Sequence, residues 1–403
     1  MNASVEPEAV LSFSPFDPAF RANPYPFYRT LYGRAPRLIE AGPYRQIALV
    51  GGYAACLEVL HDHLDFSSRD MHNLPSNSDP FQGAVSLLNS DPPDHSRLRR
   101  LVSLDFSPRR IRALEPHIRA ITSELLERVA TQPGFDVMAD LANILPVRVI
   151  AEMLGVPPEL HVQFKVWSDA IIGIRSLAPG APAAPGSIEG RDQLLEYFAA
   201  EIERRRRRPG PDLISALLAA QEQAEILSAP ELMRFLVLLL VAGNETTTNL
   251  IGNGILALGR HPEQMELLRQ QPSLIGGAIE EILRYDGPVQ TTVRRAVAPV
   301  RLDGTEIAAG TTVMVLLAAA NRDPARFKDP ERFDIRRTPN EHIAFGAGIH
   351  FCLGATLARL EGAIAIEMLL KRFPRLRLAM GEPPRYRESF GLRGLIDLPV
   401  ATA

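Results

Sequence analysis

The stretch "SAPELMRFLVLLLVAGNETTTNLIGNGILALGR", from Ser228 to Arg260, constrains the fold more than any other. Ser228 and Glu231 have the spacing of a capping box, which starts a helix at Ala229. An unbroken helix to Arg260 would be roughly 48 Å long at ~1.5 Å per residue, enough to cross a whole domain. Phe235 to Val241 is apolar on every side, so such a helix must run through a large core. Its middle is anomalous. Gly243, Thr246, Thr247 and Thr248 are poor helix formers, and Glu245 is a carboxylate that burial penalises unless it has a partner or a purpose. Two readings are open here. The helix ends at this point, or it opens locally where a ligand approaches the backbone at Gly243, with Glu245 and Thr246 facing the ligand as a proton-carrying pair.

The rest of the chain can supply that core. It has 403 residues, 46% of them hydrophobic, with no Ser/Gly-rich linker. One unit with subdomains is expected: a β-containing part over about 1–60, 286–340 and 375–403, the remainder helical. Helical patterns run over Tyr53–His61, Arg97–Leu104, Pro108–Ala130, Pro146–Leu154, Pro158–Ile174, Ile188–Arg207, Asp212–Gln223, Pro262–Gln270, Leu274–Tyr285 and Leu353–Arg372. Arg37 to Val50 reads as a hairpin around Gly42-Pro43. Val300 to Ala320 reads as strands around Asp303-Gly304. The class is mainly α with small β-sheets.

A net charge of −3 gives no reason to expect a nucleic-acid partner. Two cysteines make no disulfide framework and suit a reducing cytoplasm. The N-terminus lacks the basic and apolar regions of a signal peptide. The longest apolar runs fall far short of the roughly 20 residues of a membrane span. The five arginines of "ERRRRRPG" end a helical pattern, where they complement the helix dipole and stay solvated. The Pro/Gly/Ala-rich Leu177 to Gly190 is a connector or a mobile lid.

Three further patterns invite chemistry. "AIEEILRYDG" sets Glu281 and Arg284 on one helical face, a pair that Arg332 in "PERF" would complete as a buried cluster. "DPPDHSRLRR" sets His95 and Arg99 at i, i+4; with Arg294 or Arg295 and His350 they could serve a dianionic ligand. Finally, Cys352 lies in "FGAGIHFCLGATLARLE", where a helical pattern begins. Free N–H groups and the dipole there favour a thiolate. Gly346, Gly348 and Gly354 permit tight turns and the approach of a flat ligand, and Phe345 would exclude water. A buried hydrophobe, or a nucleophile with His342 or His350 as base, are the alternatives for Cys352. Cys56 reads as core.

"FGAGIHFCLG" matches the haem-binding signature of the cytochrome P450 family without a departure. "EILR", "AGNETT", "DPPDHSRLRRLVS" and "PERF" resemble its other motifs, in the family's order, over roughly Asp91 to Arg372. The resemblance implies the P450 fold, with haem b (iron protoporphyrin IX) between the long central helix and the helix after the cysteine loop. Cys352 would be the metal ligand. His95, Arg99, Arg294 (chosen over Arg295 by its spacing to Ala296) and His350 would bind the propionates, with Phe345, Gly348, Gly354 and Ala242 also against the cofactor. Thr246 would hydrogen-bond the oxygen being activated or a water, and Glu245 would open a proton route. Glu281, Arg284 and Arg332 would be structural. Leu238, Val241, Gln290, Thr291, Val293 and Leu392, with the Arg69 to Leu88 loop, would line the substrate pocket.

The implied reaction is insertion of one oxygen atom from O₂ into a hydrophobic small molecule, with electrons from NAD(P)H through a ferredoxin and its reductase. That partner would dock near Arg109, Arg110, Arg112 and Arg359. The rival readings are a peroxide-driven peroxygenase and a non-catalytic haem-binding or gas-sensing protein. No membrane anchor is expected, and the protein would be cytoplasmic.

Overall fold

The computed structural model describes residues 13–40, 46–69, 86–103, 105–175, 184–224 and 228–402. Most of the expected pocket loop at Arg69–Leu88 and the first half of the expected lid at Leu177–Gly190 fall outside these residues.

The central helix is one continuous element, Ala229–Arg260. Its capping box is formed: Glu231 N–H donates to Ser228 Oγ at 3.3 Å, and Ser228 N–H donates to Glu231 Oε2 at 2.8 Å. By length and composition it could cross a bilayer, but 83% of its most apolar window is buried inside the fold. Leu145–Met153, Ile275–Asp286 and Ala355–Arg372 pack around it. Small residues let them close in. A side chain at Gly254 would come within 2.9 Å of Ile366 and 3.0 Å of Ile282. Most of the apolar core is a single cluster wrapped around this helix.

The sequence expectation of a helix end or local opening at Gly243 is corrected. Neighbouring helices supply enough burial to override the weak propensities of Gly243 to Thr248. A Cβ on Gly243 would meet Ile150 of a neighbouring helix at 3.1 Å, so the lack of a side chain there serves helix packing.

Five strands form the main sheet, in the order Arg37–Ile39, Ile47–Val50, Thr312–Val315, Thr292–Ala296, Phe66–Ser67. Only the Ile47–Val50 and Thr312–Val315 pair is parallel. The Arg37–Val50 hairpin is present, although residues 41–45 lie outside the described set. Val300–Leu302 and Thr305–Ile307 close a hairpin over Asp303 and Gly304, whose φ values of 44° and 82° suit the expected Asp-Gly turn. Past Leu316 the strand reading fails: Leu317–Ala320 is a buried helical turn. The chain's end pairs with Gly134–Asp136 and Arg377–Leu378.

The arginine run is also corrected. Arg205 is buried, pairing with Asp212 at 2.6 Å and Glu201 at 3.1 Å and donating to the Gly155 carbonyl at 3.0 Å. A dipole argument treats the five alike, whereas helix rotation turns one of them inward.

Candidate functional site

The cysteine loop is shaped by two left-handed glycines, Gly346 (φ 71°) and Gly348 (φ 66°). A Cβ on Gly348 would lie 2.3 Å from the Leu60 carbonyl, so both backbone angle and space demand glycine there. No atom stands within 4 Å of where a Cβ on Gly354 would be, leaving open space on that side of the loop. Cys352 N–H donates to the Phe345 carbonyl at 3.0 Å. The following helix, Ala355–Arg372, begins three residues after the cysteine. Burial pushes the Cys352 thiol up. Hydrogen bonds from the backbone N–H groups of Gly354 and Ala355, with the Arg99 and Arg359 cations, pull it the other way.

A second group converges beside this loop. The rings of His95 and His350 lie 4.2 Å apart, centroid to centroid. Both Nε2 atoms are buried with no hydrogen-bond partner among the described residues. Burial and the Arg294 cation push His350 down to about 3, so it is neutral. Burial likewise lowers His95, and brings Arg294 down to about 10. Arg99 carries a cation close enough to act on both His350 and the Cys352 sulfur. Buried imidazole nitrogens and partly desolvated guanidiniums gathered in one spot favour a ligand that accepts hydrogen bonds and carries negative charge.

On the central helix, Ala242 and Thr246 share a face one turn apart, and Thr246 Oγ1 donates to the Ala242 carbonyl at 2.7 Å. Ala242 is exposed although Val241 beside it is buried, so this face borders open space. Glu245 is buried next to it.

A cytochrome P450 family model matches residues 187–393. The cytochrome P450 monooxygenase PikC of Streptomyces venezuelae is 42% identical over 400 residues, covering 97% of this chain and 94% of that protein. The chain belongs to the cytochrome P450 family.

Vitamin D(3) 25-hydroxylase of Pseudonocardia autotrophica is 42% identical, covering 96% of this chain and 95% of that protein. The crystal structure of P450BioI in complex with an acyl carrier protein ligated to hexadec-9Z-enoic acid superposes with a TM-score of 0.89 at 39% identity, covering 96% of this chain and 99% of that one. The chain is thus a P450 monooxygenase, and the family's cofactor is haem. The residues fit it: two unpartnered imidazole nitrogens and two guanidiniums can take carboxylates, a sulfur flanked by N–H donors can take a metal, and the Gly354 side is open.

One expectation for this P450 needs correction. Glu281 and Arg284 form the buried bidentate pair, both bonds 2.8 Å. The third member is Arg337, not Arg332. Arg337 Nε lies 3.1 Å from Glu281 Oε2, while the Arg332 side chain is 65% exposed and pairs with Asp334 at 3.6 Å; Arg332 joins the cluster through its carbonyl, which accepts from Arg284 at 3.1 Å and Arg337 at 2.9 Å. Arg337 lies five residues beyond Arg332, and no sequence pattern singled it out. Arg359, expected at a docking face, holds Glu280 through two bonds of 2.7 and 2.8 Å and lies over the Phe345 ring at 4.5 Å. Arg110 pairs with Asp105, whereas Arg109 and Arg112 are exposed. Gln290, Thr291 and Leu392 line an open pocket together with Phe20 and Arg393. Leu238 and Val241 are buried along the central helix. Cys56 is buried, as expected.

Proposed function

We propose that the Cys352 thiolate would hold the iron of haem b, and that His95, Arg99, Arg294 and His350 would hold its propionates. The observation that carries this is the facing pair of buried imidazole nitrogens without partners, set beside the cysteine loop. In an unliganded protein two such donors would be a defect; two carboxylates satisfy them. Phe345, Gly348, Gly354 and Ala242 bound the cofactor. Haem bound to a thiolate supplies the cleavage of O₂ and the oxidising power, the thiolate favouring O–O scission.

The chain's own residues do the rest. Thr246 donates its hydroxyl proton to the Ala242 carbonyl, so its oxygen lone pairs remain to accept a hydrogen bond from a water in the site. Glu245 places a carboxylate one residue away, able to relay a proton toward that water. Leu238, Val241, Val293 and Leu392 form an apolar wall, with Gln290 and Thr291 at its edge, which suits a hydrophobic small molecule. The reaction is insertion of one oxygen atom from O₂ into that molecule. Electrons come from NAD(P)H through a separate ferredoxin and reductase, and the protein works in the cytoplasm. The acid–alcohol pair favours this over a peroxygenase or a non-catalytic haem protein, neither of which needs protons delivered.

Reduced, haem-loaded protein under carbon monoxide should show the strongly red-shifted Soret band of a thiolate ligand, and Cys352→Ser should abolish it while the fold persists by circular dichroism. A red-shifted band retained in the serine variant would overturn the assignment.

A further inference from the structure

We propose that Arg393 is a positioning residue: it holds the Ser389–Leu392 turn against the central helix and so sets how bulky a ligand the site accepts. This rests on the reading above that Leu392 forms part of the pocket wall. Every polar group of Arg393 is engaged. Its N–H donates to the Pro288 carbonyl at 2.7 Å, and its own carbonyl accepts from Asn253 Nδ2, on the central helix, at 3.0 Å. Its guanidinium donates to Asp286 at 2.7 Å, to the Ala22 carbonyl at 3.2 Å and to the Arg21 carbonyl. It also lies over the Tyr386 ring at 3.8 Å. Asp286 is braced by the Tyr25 hydroxyl, and the Asn253 amide also donates to the Asp286 carbonyl at 3.0 Å.

One buried side chain therefore joins three separate parts of the chain: the end of the Pro18–Ala22 helix, the end of the Ile275–Asp286 helix and, through its backbone, the central helix. The turn it anchors also has contacts of its own: Leu392 N–H donates to Ser389 Oγ at 3.3 Å, and the Phe390 ring lies 5.8 Å from that of Phe16. Leu392 makes an isolated bridge to Val289, and the Gly391 carbonyl accepts from Gln290 N–H at 2.9 Å. Just beyond the turn the chain abuts the central helix three residues past Thr246: a Cβ on Gly394 would lie 1.9 Å from Asn249 Oδ1. A small rotation of residue 393 would swing Leu392 relative to the Thr246 face. A lysine keeps a cation for Asp286, but an ammonium cannot serve three acceptors as a planar fork does.

The test uses haem-loaded protein and two iron-binding azoles, followed by their Soret shifts: imidazole, too small to reach the turn, and clotrimazole, whose three aryl rings must meet the wall. Arg393→Lys should leave imidazole affinity within about twofold and weaken clotrimazole by about tenfold, the scale of a changed apolar pocket wall. Leu392→Ala should do likewise, and the double variant should be no weaker than either single one, because Arg393 acts through Leu392. Unchanged clotrimazole affinity in Arg393→Lys, equal loss for both azoles, or losses that multiply in the double variant would each overturn the proposal. Should Arg393→Lys fail to fold, Asn253→Ala removes the bond to the Arg393 carbonyl and must shift clotrimazole alone, in the same direction. A wild-type protein with no azole-induced shift and no red-shifted carbon monoxide band instead rejects the haem–thiolate reading, and this proposal falls with it.

Discussion

Among single residues, Thr246 and Arg337 separate chemistry from architecture most cleanly. Among the described residues the Thr246 hydroxyl bonds only to its own helix, so replacing it removes an oxygen from the site and little from the fold. Thr246→Ala should uncouple O₂-driven turnover, with reducing equivalents lost to peroxide or water, while peroxide-driven oxidation persists. Product formed per NAD(P)H consumed, with and without added peroxide, measures this. Arg337 is the converse case. It completes the shell of a wholly buried carboxylate, together with Arg284 and Asn340. Arg337→Ala should cost about 1.5–3 kcal/mol in denaturant unfolding, as hydrogen bonds to a charged acceptor are lost. Arg332→Ala should stay within about 0.5 kcal/mol. Sequence could name Glu281 and Arg284 because three residues of helix bring them together. It could not choose Arg337, because that choice depends on how an irregular segment folds back across the helix.

At the scale of elements, the helix after the cysteine carries an unspent polar group. Glu361 is 1% exposed, its Oε2 has no partner among the described residues, and burial pushes it up to about 8. It is therefore protonated in the folded protein at neutral pH, whereas an unfolded chain releases that proton above about 4.5. Stability should fall as pH rises from about 4.5 through about 8, and Glu361→Gln should flatten that decline in urea titrations. A decline as steep in the glutamine variant would mean that another group is responsible. The central helix shows what was legible at this scale. Its cap and both ends followed from local sequence, as did the helix at Tyr53–His61. Its continuity through Gly243 to Thr248 did not, because the burial that maintains it comes from other elements.

Across the whole molecule, the Glu280 cluster joins three segments near the cysteine loop. Glu280 bonds Arg359 on the helix after the cysteine and His342 at 3.1 Å in the preceding loop. Burial works to raise Glu280, but those bonds outweigh it and bring the carboxyl down to about 2. Its stabilisation is thus complete above about 4.5, the unfolded value, and is lost as pH falls toward about 2. Acid unfolding of Glu280→Gln should be less steep over that window, and its stability at neutral pH should be lower. Identical acid profiles would show that the cluster contributes nothing.

The amino-acid order alone determined the helical character, the Asp-Gly hairpin, the caps, the cysteine signature and hence the family, because these depend on contacts a few residues apart or on a contiguous motif. Tertiary structure decided which arginine completes the Glu281 cluster, which of five consecutive arginines is buried, that Arg359 is engaged by Glu280, and that Arg393 ties the Ser389–Leu392 turn to the central helix. Those outcomes depend on which distant carboxylates and carbonyls reach one buried point. Only the packed arrangement of the elements sets that.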